Sequence, residues 1–366
     1  MSPQSDKPSG LLAAGMLLIG TVMAATGSFI GRREPPPPTD PFGNVRSAAE
    51  PLALQHARAK EPARGRRAVT PRRIPWRGWV DIVLRTFAGI GNHRLNELAA
   101  GVAFYELLAI FPALTALVSI YGVFASSIEI RRDLALLALI VPASTLDLIG
   151  AQIDRIAGAG GGRLTLTFVG SLALSLWSAN AGVKALFDAL NVIYDEDEKR
   201  SIVRLNAVSL GFTFGVIGFL LTCIAAIVAL PAARGQLTVL RWPLLLIAAM
   251  LGLSILYRFG PSRRAPKWRW VTLGSVASAL VWLAGSAAFS FYLAKFPYYD
   301  VIFGSLGAAV GFMLWLWLSA IVVLLGAQLN AEVEHQTARD STVGDTERPL
   351  GDRGAVMADT VGAAQT

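Results

Sequence analysis

The chain has 366 residues, of which 54% are hydrophobic and only 16% charged, with a mean hydropathy of +0.51 and a formal net charge of +8. An average soluble domain carries about 25% charged residues, so this composition excludes an ordinary water-soluble enzyme and points to an integral membrane protein. The single cysteine, Cys223, excludes a disulfide framework and a cysteine-based metal centre.

In chain order, the first apolar window covers residues 11–30. It is longer than the roughly 7–15-residue apolar core of a cleaved export signal, and is read as an N-terminal transmembrane helix within residues 1–31. Residues 31–98 then carry thirteen Lys and Arg against six Asp and Glu. Cleavage would leave that basic segment outside, against the tendency of basic loops to stay cytoplasmic. Residues 32–75, with four consecutive prolines at 35–38, read as a Pro/Arg-rich cytoplasmic linker too polar to bury a core of its own. Arg64, Arg66, Arg67, Arg72, Arg73 and Arg77 stand just before the membrane domain. Anionic lipid headgroups attract each basic residue there by about 1 kcal/mol, and no nucleic-acid partner is expected.

From Trp76 to Ile90, apolar residues recur at helical spacing (Trp79, Ile82, Val83, Phe87, Ile90) with Asp81 and Arg85 between them, the pattern of a helix lying in the membrane interface. Six core spans follow, near 99–125, 164–183, 205–230, 239–257, 271–294 and 304–327, each close to or above the roughly 20 residues that cross hydrocarbon. Loop 184–204 carries Lys184, Lys199, Arg200 and Arg204; loop 258–270 carries Arg258, Arg263, Arg264, Lys267 and Arg269. The intervening loops hold fewer basic residues or balance them, so both ends of the core are expected in the cytoplasm. In the outer stretch 126–163, Leu146, Ile149, Ile153 and Ile156 share a face of an expected amphipathic helix ended by the Gly-rich run 158–162. Residues 336–366 are expected to form a disordered cytoplasmic tail. The fold class is therefore all-α: a polytopic transmembrane helical bundle with a six-helix core in a 76–335 membrane domain, plus one N-terminal transmembrane helix.

Catalytic chemistry finds little to stand on. His56, His93 and His335 are scattered without metal-ligand spacing, and no Gly-Lys-Ser/Thr phosphate loop occurs. Asp195, Glu196, Asp197 and Glu198 read as a solvated acidic run. No catalytic residue, cofactor or metal is assigned. What stands out is the polar set in and around the spans: Glu106, Ser178 and Asn180, Arg258, Gln328 and Asn330. An ionisable group well inside a span costs several kcal/mol unless it faces a partner or water. Glu106 is thus either a pathway residue or a buried structural carboxyl. Asn180 and Ser178 suit bonding across helices, Arg258 snorkelling to the surface, and Gln328 and Asn330 bridging between neighbours. Two glycine stripes, Gly211–Gly215–Gly218 and Gly304–Gly307–Gly311, are expected at close helix contacts, and Trp268, Trp270, Tyr298 and Tyr299 at the membrane interface.

The residues of the second half carry a resemblance. Trp177-Ser178 through Asn191 and Tyr194, Tyr257-Arg258, Pro261, Trp268, Gly274, Trp282, Phe289 and Tyr292 resemble the YihY/virulence factor BrkB family of bacterial inner-membrane proteins. Phe303-Gly304-Ser305-Leu306-Gly307, Leu314-Trp315 and Gly326-Ala327-Gln328-Leu329-Asn330 are similar to its closing signature, and Phe111-Pro112 to its opening one. The resemblance covers about residues 76–335. It implies a six-helix inner-membrane core without an agreed activity, whose members have been labelled as ribonuclease BN, as virulence factors, or as handling envelope lipid. The chain departs from the common pattern at Phe303, where Tyr is usual, and at Gln328, where Glu is frequent. An amide cannot take up and release a proton, so proton-coupled chemistry at position 328 is not expected here.

Three functions follow as expectations. The first is a transporter or flippase-like protein that moves a lipid or other amphiphile past Glu106 and the polar span residues. The alternative is a noncatalytic scaffold working through further copies of itself or envelope proteins. The third is tRNA cleavage, which lacks a visible site.

Overall fold

The computed structural model describes residues 51–121, 150, 166–232, 237–295, 307–344 and 346–365. The expected helix at 11–30, the outer helix at 146–156 apart from Gly150, and Phe303, Gly304, Tyr298 and Tyr299 fall outside these residues.

Regular structure among the described residues is helical, apart from one isolated bridge between Pro266 and Thr342. A short helix α1 (Leu52–Ala59) precedes α2 (Trp76–Asn92) and six long helices: α3 (Leu95–Tyr121), α4 (Leu166–Ile193), α5 (Ile202–Ala232), α6 (Leu237–Phe259), α7 (Trp268–Lys295) and α8 (Gly307–His335); a single turn, α9 (Val356–Asp359), closes the chain. Among the described residues, the six long helices fall on the segments expected to span. Among the described residues, Ile202–Cys223, Trp268–Phe289 and Ala309–His335 are long and apolar enough to cross a membrane, and Pro243–Phe259 is a shorter apolar helix. Their outward faces are apolar, as lipid demands: Phe214 is 53% exposed, Leu251 57% and Val281 52%.

Packing runs α3 along α4 and α7 along α8, with α8 also against α3 and α6 linking α5 to α7. The largest buried cluster draws Leu95, Leu190, Tyr194, Tyr257, Val271 and Leu324 together from α3, from α4 and the residue that follows it, and from α6, α7 and α8. It lies at the end of the bundle where α8 reaches His335.

Three expectations need correction. Gly211, Gly215 and Gly218 do not sit at a close contact: among the described residues, a Cβ on any of them would meet nothing within 4 Å. The tight crossings are elsewhere. A Cβ on Gly326 would strike Ser278, and one on Gly274 would strike the Gly326 carbonyl, so these two glycines let α7 and α8 touch backbone to backbone. Trp270 is no interface anchor; it is 1% exposed and packs with Ile82 and Val333, whereas Trp268 is 47% exposed. The described residues of the expected tail, 336–344 and 346–365, are not disordered: Gln336, Thr337, Ser341 and Val361 are fully buried, and Met357 joins the main core cluster.

Candidate functional site

Polar groups gather in two places, and they differ in how well they are paired. The first is the His335 end of α8. Helix α2 crosses it with the polarity of its faces reversed relative to a soluble helix: Asp81 and Arg85 are buried against protein, while Trp76, Val83, Leu84 and Phe87 are 79%, 44%, 44% and 67% exposed. Arg64 reaches Asp81 at 2.6 Å, and Arg85 reaches Glu332 at 2.6 Å. Burial opposes the charge on Asp81, but bonds from Arg64 and the Gln365 amide outweigh it and hold the carboxyl below its usual range. Arg263 donates to both carboxylate oxygens of Glu334 at 3.0 Å, with both side chains wholly buried and the guanidinium 4.0 Å over the Tyr194 ring. Ser341 completes Glu334 at 2.8 Å.

His93, at the C-cap of α2, links this end to the α4–α5 loop. Its Nδ1 lies 2.8 Å from Gln328 Oε1 and its Nε2 lies 3.5 Å from Asp195. The residues on either side of the junction, Arg94 and Asp195, adopt left-handed backbone with φ of 49° and 52°, which turns the chain sharply and brings the ring to the carboxylate. Burial pulls against protonation of His93, yet Asp195 and the Gln328 carbonyl prevail, so its pKa is raised. Gln328 passes the contact on, donating its amide to Glu332 at 3.3 Å. An amide suits this place because it accepts at one end and donates at the other. Asn330 is a clamp: its Oδ1 accepts from the Gly274 N–H at 2.7 Å and its Nδ2 donates to the Val271 carbonyl at 3.0 Å, locking α8 to α7.

Sequence reasoning treated His93 as isolated and 195–198 as a solvated run. Asp195 and Asp197 are exposed, but the Glu196 side chain is fully buried, pairs with Lys199 at 2.8 Å and accepts from the Val356 amide at 2.7 Å. Glu198 holds Arg200 at 2.7 Å. Arg258 does not simply reach outward; its guanidinium stacks 4.4 Å over Trp268. Arg64 and Arg66 are likewise internal, leaving Arg67, Arg72, Arg73 and Arg77 as the exposed arginines of the 64–77 run. Among the described residues, no three of His, Cys, Asp and Glu converge as metal ligands would.

The second place is the middle of α3, α4 and α5. Glu106 is half-buried, and among the described residues no hydrogen bond or ion pair reaches it. The α3 backbone at Tyr105–Glu106 crosses α4 at Gly182, where an added Cβ would lie 3.6 Å from both the Tyr105 carbonyl and Glu106 Cα. Asn180 is 1% exposed; it accepts from Thr213 of α5 at 3.4 Å, while its Nδ2 has no partner among the described residues. Ser178 is half-buried on the same helix. No hydrogen bond or ion pair joins Glu106 to Asn180 among the described residues, but they stand at similar distances from the ends of their helices. Glu106 is eleven residues into α3, Thr213 eleven into α5, and Asn180 thirteen from the end of α4. At about 1.5 Å per residue all three lie roughly 16–20 Å along their helices from the ends nearest His335, about half of the roughly 30 Å that a hydrocarbon layer measures.

A shallow groove of about 230 Å³ opens between α2, α7 and α8, lined by Val83, Phe87, Val281, Leu325 and Leu329. The hydroxyls at its edge, Thr86 and Ser278, bond to the Ile82 and Val322 carbonyls. It offers a visitor hydrocarbon and little else.

Residues 86–349 match the family described as Virulence factor BrkB. The chain is 28% identical over 258 residues to a ribonuclease-like protein, YfkH, of Bacillus subtilis, covering 65% of this chain and 90% of that one. It is 30% identical over 260 residues to a UPF0761 membrane protein of Alkalilimnicola ehrlichii, covering 67% and 57%, and 30% identical over 272 residues to one of Rhodospirillum centenum, covering 71% and 59%. The chain thus spans less than two thirds of the length of these two UPF0761 relatives. No solved structure matches it.

Proposed function

Because the chain belongs to the Virulence factor BrkB family, several of whose matched relatives carry the name membrane protein, we propose that it is a multi-pass protein of the bacterial inner membrane that moves a lipid or similar amphiphile across the bilayer. The observation that carries this reading is Glu106, a carboxyl without a partner among the described residues, half-way along α3. It stands level with a buried amide, Asn180, whose donor is also unpaired. Such groups are expensive in hydrocarbon and become tolerable beside a polar cargo or water. In this reading Glu106, Ser178 and Asn180 line the path of the headgroup. Chain tails travel along apolar faces such as the groove between α2, α7 and α8. Arg258, Gln328 and Asn330 hold the frame. The core termini lie in the cytoplasm, and the exposed Trp76 with Arg72, Arg73 and Arg77 rests on anionic headgroups.

The test is reconstitution. Purified protein in liposomes should move a fluorescent lipid between leaflets, and Glu106→Ala should reduce that rate by about tenfold or more while the protein stays folded. No movement by the unaltered protein, together with an unchanged envelope in Glu106→Ala cells, would refute it. A noncatalytic scaffold is the competing reading, favoured by the dense pairing at the His335 end; it requires that Glu106→Leu leave the phenotype intact and that stable protein partners co-purify. The ribonuclease-like name belongs to YfkH, and tRNA cleavage by this chain would have to survive stringent purification and vanish with one acidic substitution.

A further inference from the structure

The segments up to Arg85 and after α9, both outside the family match, meet on α8 in an arrangement that the transport reading does not use. From Val361 to Gln365 the backbone is taken up group by group. The Val361 N–H donates to Gln55 Oε1 at 2.6 Å and its carbonyl accepts from Arg58 at 3.1 Å. The Gly362 N–H donates to the His335 carbonyl at 2.9 Å, and the Gly362 carbonyl accepts from Arg66 at 2.7 Å. Arg85 donates to the Ala363 carbonyl at 2.9 Å, and the Gln365 N–H donates to Asp81 at 2.9 Å. All six bonds read main chain, so they select an extended backbone rather than a side-chain sequence.

The receiving groups are built in advance. Arg66 is 2% exposed and braced by Glu61 at 2.6 Å; Arg85 is held by Glu332 at 2.6 Å and Gln336 at 2.7 Å; Asp81 is held by Arg64 at 2.6 Å. Guanidiniums fixed in this way lose little freedom on meeting a carbonyl. Selectivity enters at one position. A Cβ on Gly362 would lie 2.6 Å from Arg85 Cζ, and Arg85 cannot retreat from it without leaving Glu332 and Gln336. The preceding Val361 is fully buried, so the fitting pattern is an apolar residue followed by a glycine.

We propose that Gln55, Arg58, Arg66, Asp81 and Arg85 form a peptide-binding site for an extended apolar–glycine segment, filled here by the chain's own residues 361–365. The C-terminal segment is thereby a releasable clasp that ties α1, α2 and α8 together.

Full-length protein carrying Gly362→Leu, purified in detergent, provides the test with a fluorescent synthetic peptide of residues 356–365 as probe. Its tail should be cut by protease at least about tenfold faster than in the unaltered protein. The emptied site should bind the peptide, and the same peptide with leucine for glycine should bind at least tenfold more weakly, a difference of about 1.4 kcal/mol. The unaltered protein, its site already filled, should bind little peptide. Adding Arg66→Gln should abolish capture. Arg58→Gln, at the rim and away from the bundle core, repeats the protease test in a chain whose fold is not at risk. A tail as resistant as the original in both variants, or equal binding of the glycine and leucine peptides, overturns the proposal.

Discussion

The two polar regions of the bundle obey different economies. At the His335 end, Asp81, Glu332, Glu334, Glu196 and Glu198 each meet a cation within 3.0 Å, and amides fill the spaces between them. Half-way along α3, Glu106 meets none among the described residues. Paired buried charges stabilise an arrangement because losing either partner strands the other. An unpaired one at membrane depth stabilises nothing, and its presence calls for cargo or water. On the function proposed above, the end of the bundle is framework and the middle is the path.

Substitutions can break or sharpen that division. The largest effect is expected at Arg263 and Glu334. Glu334→Leu strands a wholly buried guanidinium and should cost about 3–5 kcal/mol, seen as a sharp fall in the thermal midpoint in detergent; Arg263→Met with Glu334→Leu should recover at least half of it. A single variant that melts like the original would show the pair to be ornamental. Next comes Gly326→Val, which forces α7 and α8 apart at Ser278 and should cost about 1–3 kcal/mol. Gly215→Val, on an open face, should stay within about 0.5 kcal/mol.

A smaller effect depends on pH. The His93 pKa is raised on folding, so its contribution is fully present below the ordinary histidine range, about 6.5, and is lost as pH rises through the raised folded value. Thermal midpoints measured from pH 6 to 9 should decline on the alkaline side in the original and lose that part of the decline in His93→Gln. Gln328→Glu would set a second carboxylate in the place of an amide 3.3 Å from Glu332 and should lower stability at neutral pH. The smallest effect on stability is expected at Glu106. Glu106→Leu should leave the midpoint within about 0.5 kcal/mol of the original or raise it, while removing lipid movement. A loss there as large as at Glu334 would make Glu106 one more framework residue.

The helices could be read from sequence because hydrocarbon imposes long uncharged runs, and α5, α7 and α8 show them plainly. Their facing could not. Gly211, Gly215 and Gly218 have the spacing of a packed stripe yet open outward, while Gly274 and Gly326 make the real crossing; spacing along one helix does not say whether another helix or lipid covers it. The periodicity at Trp76–Ile90 found α2, but which face turns inward depends on Arg64 and Glu332, the latter 247 residues from Arg85. The relay from Asp195 through His93 to Gln328 is similarly assembled across 235 residues between its ring and amide. The polar composition of 336–365 argues for disorder when taken alone. It folds because arginines from residues 58–85 supply the partners its carbonyls lack. Glu106 and Asn180 were visible as polar residues in apolar runs, and only their pairing had to come from the structure.

The measurement that bears most directly on the division between frame and path is thiol labelling in native membranes with Cys223 replaced by Ala. Glu106→Cys should react with a charged, membrane-impermeant reagent at a rate approaching that of Glu97→Cys, an exposed position near the start of α3. Labelling as slow as at Val281→Cys, on the outward face of α7, would mean that Glu106 sees lipid or packed protein and would contradict a wet path through the bundle.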